Sequence, residues 1–296
     1  MIGKSQNTFR GLIPRLSGAV VIFCLAALFF ISNTHGQNIF SEEIVFISKP
    51  GFLSDSKILT TIFKPSGSGL FPLVIINHGK NLGNPHQQER FRPMAMVQYF
   101  IERDYVVVVP MRHGFAQSDG ESTFAGNSVE LYGLNAVGDL KVTIDYAHTL
   151  PYVNKNITVM VGQSTGGWVT LAYGTSNPDP SVKGLVNFSG VVKEPCCFGL
   201  YNQLIDVSGN FGEKTSLPTI WFYGDNDSLI DRHTANLMFV HYSHGNPNSR
   251  FIPFGLFSND AHNLFMDPAG RKIWEPFLTQ YLYDIGVPYK PTKKVI

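Results

Sequence analysis

The chain is expected to fold as one α/β domain, a mostly parallel sheet of about eight strands with helices on both faces and little or no cap domain. Three observations point there. Two short apolar runs, Pro72-Leu73-Val74-Ile75-Ile76-Asn77 and Tyr105-Val106-Val107-Val108-Val109, lack polar alternation, which is the mark of strands buried on both faces. Stretches of helical spacing separate these runs from each other and from later ones, and such alternation resolves as a parallel sheet covered on both sides. Residues 191–217 leave room for only a helix or two between successive strands, so no large lid is expected. With 44% of its 296 residues hydrophobic, the chain can fill one large core.

Residues 1–36 differ in kind from the rest. Lys4, Arg10 and Arg15 precede an uncharged apolar run over 18–31, followed by Ser32-Asn33-Thr34-His35-Gly36. That order describes a secretory signal, and the run is shorter than the roughly 20 residues that span a bilayer comfortably. Cleavage near Gly36 is expected, leaving 37–296 as the exported domain; the alternative is an uncleaved anchor holding the same domain outside the membrane. In the mature chain, 43–48 and 57–64 read as a hairpin-like pair of strands joined through Pro50-Gly51. The strand 72–77, helical spacing over 87–102 and the strand 105–109 follow. A helix is expected over 128–149, where Val129, Leu131, Leu134, Val137, Leu140, Ile144 and Ala147 recur at three- and four-residue steps. Further strands are expected at 157–161, 182–188, 219–223 and 250–254, and a last helix over 269–283.

Composition excludes several classes of function. The formal net charge is +1 and no long block of one sign occurs, so the footprint of a nucleic-acid binder is absent. Outside the signal the only cysteines are the neighbours Cys196 and Cys197, which rules out a disulfide framework. Adjacent Cα atoms lie ~3.8 Å apart and disulfides prefer wider spacing, so free thiols or one intermolecular bridge are expected, a strained vicinal bond being the alternative. No Cys/His spacing suggests a metal, and no cofactor is called for. Three N-x-S/T triplets begin at Asn156, Asn187 and Asn226; two abut expected strands and the third contains Asp227, so they are read as accidental.

Ligands of such sheets bind beyond the carboxyl ends of the strands. Gly162-Gln163-Ser164-Thr165-Gly166-Gly167 stands there, between the strand 157–161 and a stretch able to form a helix. A turn of this kind needs glycine beside the serine because strand and helix backbones approach closely, and it lifts the hydroxyl to where a substrate can reach it. Serine becomes nucleophilic only when a base takes its proton, and the base needs an acid to hold its tautomer. Asp227, four residues past Tyr223, and His262, in the loop after 250–254, fill these roles, giving the chain order Ser, Asp, His. Asp225 and Asp231 are alternatives to Asp227, whereas Asp260 is too close in sequence to His262 to act as a separate orienter. His241 and His244 fall near the end of an expected helix, away from the site. The oxyanion of acyl transfer needs backbone donors: the Thr165 amide after the nucleophile, and the Lys80 amide in His78-Gly79-Lys80, with Gly79 the near alternative. His78 itself is read as a brace for this loop. Cys196, Cys197, Phe198 and Tyr201 are candidates for an apolar pocket wall, with core packing as the plainer explanation.

Together the segment Gly162 to Gly167, His78-Gly79, the loop Arg112-His113-Gly114-Phe115-Ala116-Gln117-Ser118-Asp119-Gly120, Gly224 with Asp227, and Ala261-His262-Asn263 resemble the α/β-hydrolase superfamily. The likeness is nearest to its dienelactone-hydrolase-like and prolyl-oligopeptidase-like branches and spans nearly all of the mature chain. It implies the α/β-hydrolase fold, a mainly structural role for the 112–120 loop, and a carboxylesterase-like serine hydrolase acting on a small-molecule acyl substrate. Dienelactone hydrolases proper use cysteine where this chain has Ser164, and the propeller domain of prolyl oligopeptidases is missing. The rival readings are a prolyl-oligopeptidase-like peptidase, a non-catalytic binding protein that keeps the fold, and a membrane-anchored scaffold.

Overall fold

The computed structural model describes residues 39–288 apart from 52–53, 123–127 and 193–198. The expected signal at 1–36 and the pair Cys196 and Cys197 lie outside the described residues. The chain runs β1 (Phe40–Lys49), β2 (Ser56–Pro65), β3 (Phe71–Asn77), α1 (Met94–Ile101), β4 (Val106–Pro110), α2 (Val129–Asn135), α3 (Val137–Ala147), β5 (Val153–Gln163), α4 (Thr165–Gly174), β6 (Val182–Phe188), α5 (Leu200–Glu213), β7 (Thr219–Tyr223), α6 (Arg232–Gly245), β8 (Ser249–Pro253) and α7 (Arg271–Asp284). The eight strands form one sheet in the order β1-β2-β4-β3-β5-β6-β7-β8. β1 and β2 are an antiparallel hairpin, β2 meets β4 antiparallel, and every later neighbour is parallel.

The uninterrupted apolar runs are explained by the two layers that cover the sheet. Leu73, Ile75, Val106 and Val108 enter one core, closed by residues of α2 to α6 such as Leu140, Trp168, Phe211 and Met238. Their immediate neighbours Val74, Ile76, Val107 and Val109 enter the other, closed by Val97 and Phe100 of α1 and by Trp274 and Leu278 of α7. Each such side chain, fully buried, contributes about 1.5–3 kcal/mol, so no position in these strands tolerates a polar residue cheaply. Between β6 and β7 the described residues form only one helix, α5, and among the described residues no helix is long and apolar enough to cross a membrane.

Three elements depart from expectation. The helix expected from residue 87 begins at Met94, because Pro93 holds the preceding residue in extended backbone and is tolerated only at a helix start. Residues 78–93 instead form an irregular loop with a 3₁₀ turn at Pro85–Gln87. The helix expected over 128–149 is two helices meeting at Ala136, whose N–H bonds back to Gly133 and Leu134. Just past the junction, buried Asp139 accepts Lys49 Nζ at 2.6 Å and the His113 N–H at 2.8 Å. The apolar positions run on through the junction, so their spacing carries no mark of it. Finally, β5 starts at Val153, four residues early; Asn154, Lys155 and Asn156 are polar, and the strand is held there by pairing of Val153 with Phe71.

Candidate active site

Because β3, β5, β6, β7 and β8 are parallel, their carboxyl ends share one rim of the sheet. Ser164 sits at the end of β5 with φ 55° and ψ −129°, a conformation that a non-glycine residue holds only under constraint. The constraint is visible: the Ser164 N–H donates to Phe188 O at 2.9 Å, while Ser164 O accepts Trp168 N–H at 3.2 Å to open α4. Gly166 is obligatory, since a β-carbon there would stand 2.2 Å from Asn77 O and 2.5 Å from His78 O. Gly162 is equally confined, with Gly166 O at 2.2 Å.

Asp227 and His262 meet across the ends of β7 and β8. His262 Nδ1 lies 3.0 Å from both Oδ1 and Oδ2 of Asp227. The Asp227 side chain is wholly buried, and its Oδ1 also accepts the N–H groups of Leu229 and Ile230 at 2.9 and 3.3 Å. Such a carboxylate is fixed in rotation and aims its charge at the imidazole. The competing acids are engaged elsewhere: Asp225 pairs with Arg232 at 3.1 Å, and Asp231 caps α6 by accepting the Thr234 N–H. Asp260 does not touch the His262 ring. It accepts the His262 backbone N–H at 2.9 Å, the Ser228 N–H at 3.0 Å and the Ser228 hydroxyl at 2.7 Å, lacing the loop of Asp227 to the loop of His262. Asn226 adds to the lacing through Phe257 and Ser258. Burial works against the Asp260 carboxylate, but the hydrogen bonds from Ser228 and His262 outweigh it and hold its pKa below the usual value.

Ser164, His262, Gly79 and Lys80 line a single cavity of about 300 Å³, together with Asn81, Gln88, Phe91, Leu229 and Met266 among others. Among the described residues no hydrogen bond joins Ser164 Oγ to His262. Gly79 lies against Ser164, since a β-carbon on it would be 3.0 Å from Ser164 Cβ. Behind it, His78 is fully buried: its Nε2 accepts the Arg112 N–H at 2.9 Å, so Nδ1 carries the proton and donates to Gly79 O at 2.6 Å. Burial, aided by the Arg112 charge, holds the His78 pKa well below the usual histidine value and keeps the ring neutral. Arg112 completes the brace by donating to His78 O at 2.6 Å and to Thr165 Oγ1 at 3.3 Å. The 112–120 loop therefore ties the segment after β3 to Thr165, the residue after Ser164. Tyr201 stands exposed on α5 and is not part of the cavity wall.

A serine strained between β5 and α4, an acid after β7 and a histidine after β8, on a sheet with an antiparallel opening hairpin, define the α/β-hydrolase fold. Solved structures with this fold superpose over most of the chain. An esterase of Pyrococcus furiosus matches with a TM-score of 0.61 and 14% identity, covering 92% of this chain and 96% of its own. A Klebsiella pneumoniae protein described as a dienelactone hydrolase matches with a TM-score of 0.56 and 15% identity over 81% of this chain and 98% of its own. Est1E of Butyrivibrio proteoclasticus, solved with ferulic acid bound, matches with a TM-score of 0.57 and 19% identity over 80% of this chain and 98% of its own. No protein-family model and no curated protein matches the sequence. At these identities the likeness establishes the fold, and the chemistry rests on the side chains themselves.

Proposed function

We propose that the protein is a serine hydrolase that cleaves a carboxylic ester or similar acyl compound. Ser164 Oγ attacks the carbonyl carbon while His262 Nε2 takes its proton, and Asp227 holds His262 in the tautomer that leaves Nε2 able to accept. The negative oxygen of the tetrahedral intermediate is met by the amides of Thr165 and Lys80. His262 then protonates the departing alcohol; water next gives a proton to His262 as it attacks the acyl carbon, and His262 returns that proton to Ser164 Oγ as the carboxylic acid leaves. The observation that carries this reading is the contact of His262 Nδ1 with both oxygens of a buried carboxylate, behind a cavity that also holds Ser164.

The cavity volume of about 300 Å³ is at the small end for ligand sites, which favours short acyl groups. A series of p-nitrophenyl esters from acetate to decanoate tests this directly: turnover is expected to be highest for the shortest chains and to be lost in Ser164→Ala. Equal turnover by the alanine variant would remove the serine from the mechanism, and a preference for decanoate would overturn the size argument. Aminoacyl-amide substrates assayed alongside separate an esterase from a peptidase. The charged-then-apolar order of residues 1–36 adds export to the proposal, with cleavage near Gly36 readable from the mass of the mature protein.

A further inference from the structure

The reading of the site as a hydrolase needs a backbone N–H from the segment after β3 aimed at the oxyanion, and Gln88 is one of two side chains that hold the peptide carrying it. Gln88, in the irregular loop before α1, presents both ends of its side-chain amide to the backbone on either side of Lys80. Its Nε2 donates to Gly79 O at 3.1 Å, and its Oε1 accepts the Asn81 N–H at 3.0 Å. The C=O and N–H of a trans peptide point to opposite sides of the chain. With Gly79 C=O turned toward Gln88, the Lys80 N–H of the same peptide is turned away from it; with the Asn81 N–H turned toward Gln88, Lys80 C=O is turned away as well. The glutamine thus pairs with Lys80 as one residue of a neighbouring strand would, fixing two successive peptide planes. His78 Nδ1 supplies a second donor to Gly79 O at 2.6 Å, so the first plane is held twice. Gly79, Lys80, Asn81, Gln88 and Ser164 all line the one cavity, and Gly79 lies against Ser164.

We propose that Gln88 is the positioning residue of the oxyanion donor: its amide clamp holds the peptide planes flanking Lys80 so that the Lys80 N–H faces the reacting carbonyl oxygen. The inference rests on the hydrolase reading and assigns to Gln88 a role in the transition state that binding of the neutral ester does not share. Removing an oxyanion donor outright lowers kcat by about 10²–10³, and loosening one is expected to lower it by about 10–10².

The test uses the full mature protein and two variants. Gln88→Ala removes both contacts; Gln88→Glu keeps the size and the acceptor but, ionised, cannot donate to Gly79 O and repels it. Both are expected to lower kcat for p-nitrophenyl acetate by at least about tenfold with KM changed less than about twofold, and to weaken binding of a short alkyl boronic acid, a tetrahedral mimic, by a similar factor. Melting temperatures read in parallel separate this from loss of structure. Wild type that turns over the ester and binds the boronate, with both variants matching it or losing only KM and melting temperature, overturns the role of Gln88 alone. Wild type that does neither overturns the reading of the site and the clamp with it.

Discussion

Replacing Asp227 by asparagine should abolish most of the turnover while leaving the fold intact, and the structure says why. The carboxylate has two tasks: Oδ1 receives the N–H groups of Leu229 and Ile230, and both oxygens face His262 Nδ1 at 3.0 Å. An asparagine can satisfy the backbone donors only by leaving its oxygen where Oδ1 stands, which turns its NH₂ toward the imidazole. Facing a donor, Nδ1 must give up its proton, and the proton moves to Nε2, the nitrogen that has to accept one from Ser164. The substitution thus traps the base in the wrong tautomer and removes the charge that stabilises the imidazolium. An acid-to-amide change of this type lowers kcat by about 10⁴, equivalent to about 5.4 kcal/mol of barrier at 1.36 kcal/mol per tenfold. Steady-state hydrolysis of p-nitrophenyl acetate measures it, with KM and the melting temperature expected to stay near wild type. A loss of less than about tenfold would mean that Asp227 does not set the His262 tautomer, and the assignment of the acid would have to be abandoned.

Two other outcomes follow from the packing. Gly166→Ala would push a methyl group against the carbonyl oxygens of Asn77 and His78 at 2.2 and 2.5 Å, both backbone atoms that cannot swing aside; destabilisation of about 1–3 kcal/mol is expected, seen as a lower melting temperature together with lost activity, and an unchanged melting temperature would contradict the close approach. His78 is held neutral by burial, its pKa well below the usual histidine value, so below about pH 6.5 the unfolded chain binds a proton that the folded one does not. Its contribution is therefore whole above that pH and is lost as the pH falls toward the folded-state value. The urea midpoint of wild type should drop between pH 7.5 and 5 more steeply than that of His78→Gln, and parallel slopes would show that His78 is not the buried neutral group.

The strands of the sheet's centre were legible because burial on both faces leaves no freedom in residue type: every position from Leu73 to Ile76 and from Val106 to Val109 is buried. Where an element is held by something other than apolar spacing, the sequence is silent. The polar start of β5 exists through pairing with Phe71, and the division at Ala136 accompanies the anchoring of Asp139, a single buried carboxylate. The same contrast holds at the site. Ser164, Asp227 and His262 each follow a strand end, where a parallel sheet presents its ligands, in the chain order that belongs to this fold, so they can be proposed from the string. Asp260, Ser228, Asn226 and Gln88 bind backbone atoms that become neighbours only when the loops have closed, and nothing in their own sequence surroundings announces it. Asp260 illustrates the limit: its nearness to His262 is plain in the sequence, but that it grips the acid's loop through Ser228 is a tertiary fact.

Whether Ser164 is made reactive by its neighbours can be read from one covalent adduct. Folded wild-type protein treated with a fluorophosphonate and digested should carry the modification on the peptide containing Ser164, and neither Ser164→Ala nor His262→Ala should be labelled under the same conditions. Wild type that stays unmodified, or label found on a different residue and retained in Ser164→Ala, would contradict the hydrolase reading.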